Sequence, residues 1–136
     1  SAAVKLSGND ITMTAFSRGV KIAMEAAKVL KKNNINVEVI DLRTLRPLDI
    51  NTVIESVRKT NRLVCIEEGW ISSGIGAEIT SSILDKAFYY LDAPPKRIAA
   101  KDVPIPYSAG LETLSLPTIE SIVMACKSLL NLKITN

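Results

Sequence analysis

No histidine occurs anywhere in the 136 residues. The commonest general base and the commonest metal ligand are therefore missing, which counts against a complete hydrolase or zinc enzyme within this chain. Only two cysteines are present, Cys65 in an apolar strand-like run and Cys126 in a helical one. Their spacing suits neither a metal site nor a disulfide framework, and it points to a reducing compartment. Aromatic residues make up 4% of the chain, and the basic pairs Lys31-Lys32 and Arg58-Lys59 stand alone. Without aromatics interleaved for base stacking, nucleic-acid binding is not expected. No apolar run approaches the roughly 20 residues that cross a bilayer, and no signal-peptide pattern opens the chain, so no membrane partner is expected.

What is present describes a globular chain. Apolar residues account for 47% and charged residues for 23%, in a length that suits one domain over residues 1–136. The opening Ser1-Ala2-Ala3 has no initiator Met, which suggests a piece of a longer protein. The net charge of +3 is unevenly spread. Residues 1–62 hold 11 Lys+Arg against 6 Asp+Glu, a balance of +5, whereas residues 63–136 hold 6 against 8, a balance of −2. Most of this is expected to be solvated surface charge.

Short β-rich runs alternate with helical ones. Asp10–Phe16 alternates polar and apolar residues as a strand does. Ser17 is placed to cap a helix through about Lys32, whose stripe is Val20, Ala23, Met24, Ala27 and Leu30. Asn33-Asn34 ends it. Val37–Leu42 is the next strand, and Pro47-Leu48-Asp49 opens a helix with Ile50, Val53, Ile54 and Val57 on one face. Arg62–Ile66 is nearly continuous in apolar residues, as strands buried on both faces are. A Gly-rich turn and a helix to about Tyr89 follow, then a strand at Lys96–Ala100. A last helix holds Pro117 in its first turn and Ile119, Ile122, Val123, Cys126 and Leu130 along its length. A short run near Val4–Leu6 is a candidate edge strand. This order implies a mainly parallel α/β sheet covered on both faces. Lys101–Ser115 is the one long irregular stretch, a length that in compact domains usually binds or docks.

The stretch Cys65–Ile79 (CIEEGWISSGIGAEI) invites two catalytic readings, an acid–base pair at Glu67 and Glu68 and a phosphate-cradling loop. It ends a strand, where ligands of open α/β sheets bind. The details oppose both. Gly74-Ile75-Gly76-Ala77-Glu78-Ile79 lacks the third glycine of a dinucleotide fingerprint, and no P-loop Lys-Ser/Thr pair follows. Glu78 puts a carboxylate in the first helical turn, where it suits the dipole and repels a phosphate. Glu67 and Glu68, if the strand continues, point to opposite sides. The expectation is a helix start capped by Ser72 or Ser73, with the glycines allowing close strand-to-helix packing. Asp41, Arg43 and Arg46 are expected to form salt bridges and caps. Trp70 is expected as a core plug or an interface anchor. No nucleophile, base and oxyanion site come together, so no catalytic residue is assigned.

The segments DLRTLRPLD (41–49), KTNRLVCIEEGW (59–70), GIGAEI (74–79), YLDAP (90–94) and DVPIPYSAGLE (102–112) occur in one order. Together they resemble the C-terminal domain of the pyruvate dehydrogenase beta subunit, a relative of transketolase. The resemblance runs from about Val4 to Leu130. It implies a three-layer α/β/α fold with a five-stranded mixed sheet whose first strand runs antiparallel. Within the family, Arg46-Pro47-Leu48-Asp49, Glu67–Trp70 and Tyr90–Pro94 look like the pyruvate side rather than the branched-chain side. Two departures stand out. Ala99-Ala100-Lys101 replaces the usual Thr-Gly-Ala, and the chain runs on through residues 132–136.

The resemblance also implies a function. Thiamine diphosphate with magnesium, and the residues that activate it, are expected outside this domain. The domain itself is expected to assemble with an alpha subunit and a second beta subunit and to dock a dihydrolipoyl acyltransferase. Asp92 is implied as a partner-binding residue facing the acyltransferase's small basic subunit-binding domain. Read without the resemblance, Asp92 is a turn former bonding its own backbone. The Glu67–Gly76 loop is expected to be structural and to face a subunit interface. The compartment implied is the mitochondrial matrix or the bacterial cytoplasm. The alternatives are a free-standing α/β domain that binds a small anion at the strand ends, or the equivalent domain of a branched-chain 2-oxo-acid dehydrogenase or transketolase.

Overall fold

A computed structural model describes residues 1–68, 74–100 and 116–131. Five strands form one sheet: β1 (Ala3–Leu6), β2 (Ile11–Ala15), β3 (Val37–Asp41), β4 (Leu63–Ile66) and β5 (Lys96–Ile98). Their spatial order is β1-β3-β2-β4-β5. All neighbours run parallel except β1, which lies antiparallel to β3 at one edge with a register shift between Val4 and Leu6. The helices are α1 (Gly19–Lys32), α2 (Ile50–Thr60), α3 (Ile75–Lys86) and α4 (Ile119–Asn131), with a 3-10 turn at Phe88–Tyr90. This is the mixed three-layer arrangement expected.

Strand alternation sorts the core onto two faces. Ile11, Met13, Val37, Val39, Val64 and Ile66 join α1 and α4 in one cluster. Ile40, Leu63 and Cys65 join α2 and α3 in the other. The β4 run is apolar at every position because both faces are covered, and all four of its residues are buried. On the α2 side the central strands carry polar residues with partners. The Thr12 hydroxyl lies 2.6 Å from those of both Ser56 and Thr60. Glu38 is buried and paired with Lys59. Burial pushes the Glu38 carboxyl up, but hydrogen bonds from Lys59, Ser56 and the Gly8 amide outweigh it and hold it below the usual range.

Several expected element ends move. Ser17 does not cap α1. It takes a left-handed φ of 55° and spends itself in a turn, and the cap position falls on Arg18 with no side-chain bond. Asn33 does end α1, its amide bonding the Leu30 carbonyl. Asp49 caps α2, accepting from the Thr52 amide at 3.2 Å and the Thr52 hydroxyl at 2.6 Å. Pro117 lies before α4 rather than in its first turn. Thr118 is the capping side chain, accepting from the Ser121 amide at 3.1 Å. The third helix stops at Lys86 instead of reaching Tyr89, because the chain tightens into the 3-10 turn. Among the described residues, no helix is long and apolar enough to cross a membrane.

Candidate functional site

At the carboxyl end of the sheet, β4 stops at Ile66, and the Glu67 amide donates to the Ile98 carbonyl at 2.9 Å. That bond turns the Glu67 side chain toward Arg97, the middle residue of β5. Arg97 Nε lies 3.0 and 3.1 Å from the two carboxylate oxygens, and Nη2 lies 2.9 Å from Oε1. The pair is a bidentate fork, and the Glu67 side chain is only 11% exposed. It is seated on α3 at Gly76. A Cβ there would fall 2.0 Å from Glu67 Oε1 and 2.9 Å from Arg97 Nε, so any larger residue would have to push the carboxylate out of its fork. Gly74 caps the helix with φ 109°, a conformation that excludes most side chains, so the N-cap is Gly74 and not Ser72 or Ser73. Ser72, Ser73 and Trp70 lie outside the described residues.

A second ion pair flanks the same helix start, Arg46 Nη1 to Glu78 Oε2 at 3.0 Å. Arg46 and Glu78 thus take the structural roles expected of them. Asp41 does not pair with a cation among the described residues; its Oδ1 accepts from the Arg43 amide at 2.9 Å. Glu67 and Glu68 do not lie on opposite sides of a continuing strand, since the strand ends before them. Both line one small cavity with Thr14, Phe16, Cys65 and Gly76, and Glu68 is 8% exposed.

That cavity holds about 20 Å³, room for about one water. Thiamine diphosphate does not fit it, and among the described residues no cluster of His, Cys, Asp or Glu could hold a metal ion. A small anion there would meet the carboxylates of Glu67 and Glu68, with Arg97 already engaged by Glu67. Burial pushes the Cys65 thiol up to about 11 against the lowering effect of its bond to Thr14, so it is no nucleophile. Burial likewise raises Cys126 to about 12. Glu67, Gly76 and Arg97 therefore fasten β4, β5 and α3 together.

Asp92 lies 2 residues past the 3-10 turn, and its side chain is 56% exposed. Its amide donates to the Asn61 carbonyl at 2.8 Å. Asn61 ends α2 in the left-handed conformation, φ 65°, and its Nδ2 donates to the Tyr90 carbonyl at 2.7 Å. Among the described residues the carboxylate makes no hydrogen bond to its own backbone. It faces Arg62 across a loose 3.8 Å ion pair that leaves oxygen surface open. Arg97 and Asn61 were not singled out from the sequence. Asn directly after a helical stripe is a legible left-handed cap, but the Glu67–Arg97 pair, 30 residues apart, carries no local signal.

Residues 1–122 match the family described as transketolase, C-terminal domain. The pyruvate dehydrogenase E1 component subunit beta of Rickettsia bellii (strain RML369-C) is 51% identical over 132 residues, 97% of this chain and 41% of that protein. The mitochondrial pyruvate dehydrogenase E1 component subunit beta-1 of Oryza sativa subsp. japonica is 52% identical over 126 residues, 93% of this chain and 34% of that protein. The chain thus spans well under half the length of either relative. A solved structure titled as a split-gene transketolase, inactive beta4 tetramer, superposes with a TM-score of 0.79 at 29% identity, covering 98% of this chain and 43% of that one.

Proposed function

This chain belongs to the transketolase C-terminal domain family, and from that premise we propose that it is the C-terminal domain of a pyruvate dehydrogenase beta subunit. In this reading it performs no chemistry alone. It assembles with an alpha subunit and a second beta subunit, and thiamine diphosphate and magnesium bind elsewhere in the full enzyme, which decarboxylates pyruvate oxidatively toward acetyl-CoA. The compartment is the mitochondrial matrix or the bacterial cytoplasm. The observation that carries the reading is the spread of the identity to the two beta-subunit relatives over nearly the whole chain. The strand-end geometry supports it, because the glutamates there are built into packing.

Asp92 is the proposed docking residue for the subunit-binding domain of the dihydrolipoyl acyltransferase. Its half-exposed carboxylate, only loosely held by Arg62, suits a basic partner and a salt-sensitive encounter. Titration calorimetry of the chain and of Asp92→Asn against that domain, at low and moderate salt, tests the reading. The substitution should weaken docking by about 1–3 kcal/mol, the range for hydrogen bonds to charged groups. Equal affinities at both salt levels would return Asp92 to a turn-forming role. In parallel, the chain given pyruvate, thiamine diphosphate, magnesium and an artificial electron acceptor should show no turnover. Turnover that scales with purified protein would sink the non-catalytic assignment.

A further inference from the structure

Among the described residues the Asp92 carboxylate has one ion-pair partner, Arg62, and the two are badly matched. Arg62 Nη1 lies 3.8 Å from Asp92 Oδ2, within reach of charge attraction but beyond a hydrogen bond. The Arg62 side chain is mostly buried while that of Asp92 is half exposed. Arg62 Nε is buried as well, with no acceptor among the described residues. An arginine built to hold a carboxylate presents two nitrogens at hydrogen-bond distance, as Arg97 does to Glu67. Both main chains are tied down on either side of the gap. Asn61 holds the Asp92 amide and the Tyr90 carbonyl, and the Arg62 carbonyl accepts from the Thr12 amide at 2.8 Å.

We infer that Arg62 is a resting counter-ion of Asp92, an internal competitor that a docking partner's cation must displace. The inference rests on the docking role proposed for Asp92 and names what regulates that site. In the free chain the Arg62 charge offsets that of Asp92, so a basic surface is drawn to this spot less strongly than to a bare carboxylate. A partner guanidinium that reaches hydrogen-bond distance gains a charge-assisted bond that Arg62 does not make. The exchange costs little, because a loose pair this near the surface is a weak one. Arg62 also selects. A cation that approaches Asp92 without bonding it offers no more than Arg62 already supplies.

The test titrates the acyltransferase's subunit-binding domain into four forms: the unmodified chain, Arg62→Gln, Asp92→Asn and the double variant. Arg62→Gln should tighten binding about twofold to fivefold at low salt, the scale of a weak surface pair. The gain should shrink at moderate salt. On the Asp92→Asn background the same substitution should change nothing. Melting temperatures of all four should stay close, which separates the effect from misfolding. If Asp92→Asn weakens binding and Arg62→Gln weakens it too, Arg62 touches the partner; the competitor is then overturned and the docking role stands. Equal tightening on both backgrounds would mean plain repulsion between Arg62 and a basic partner, and would also overturn the competitor alone. No effect of Asp92→Asn, or no binding by the unmodified chain, would overturn the docking role and this inference with it.

Discussion

Asn61 grips the segment that carries Asp92 at two points, accepting the Asp92 amide at 2.8 Å and donating to the Tyr90 carbonyl at 2.7 Å. The end of α2 thereby positions a loop that follows α3. Asn61→Gly keeps the left-handed backbone and loses only the side-chain bond, which should cost about 1 kcal/mol in urea unfolding. Asn61→Ala adds a left-handed penalty of about 1 kcal/mol on top. Equal stabilities of the two variants would show that the backbone conformation is not the constraint.

Gly76→Ala should destabilise even though alanine is the better helix former. The new methyl would displace the Glu67 carboxylate from its fork with Arg97. A loss of about 1–2 kcal/mol is expected, the scale of a charged hydrogen bond. Removing the obstruction should remove the penalty, so Gly76→Ala made on a Glu67→Ala background should be neutral or stabilising. Chemical denaturation of the four members of this cycle decides it; additive losses would contradict the clash.

Asp49→Ala removes the cap of α2 and should cost about 1 kcal/mol near neutral pH. Bonds from Thr52 hold the Asp49 carboxyl below its ordinary range. A depressed carboxyl stabilises the fold above its unfolded pKa, about 3.9, and loses that contribution as pH falls through the folded value. The gap between wild type and variant should therefore narrow below about pH 4. A gap constant down to acid would mean that the cap works without its charge.

Both thiols are raised by burial, to about 11 at Cys65 and about 12 at Cys126. A thiol raised in the fold leaves stability intact below its unfolded pKa, about 8.5. Above that the unfolded state ionises first, so stability falls until the folded thiols also ionise. Urea midpoints should decline from about pH 9 upward, and Cys65→Ser/Cys126→Ser should flatten the decline. At pH 8 a thiol reagent should react only at the rate of unfolding; rapid native labelling would contradict the burial.

The sheet and its two covered faces were legible because alternation and apolar runs state them locally, as Leu63–Ile66 does. The strand-end chemistry was half legible. The missing third glycine argued against a nucleotide loop, but the fit of Gly76 against Glu67 depends on β4 pairing with β5, which no local pattern reveals. Ser17 misled because cap preference was weighed without its surroundings. The chain turns at Ser17, φ 55°, with the Gly19 amide bonding the Phe16 carbonyl at 3.0 Å, before α1 begins. At Asp92, exposure was foreseen, but the grip of Asn61 and the counter-ion Arg62 belong to another element.

The reversed β1 has a consequence for the crowded solution in which any such domain must survive. A parallel sheet ending at β3 would offer an open row of amides and carbonyls that a second molecule could extend. Instead the row is closed by four residues with a break in register between Val4 and Leu6 and a lysine between them. An outer ladder that short and uneven is a poor template for strand addition, so growth of the sheet from molecule to molecule is checked at that border.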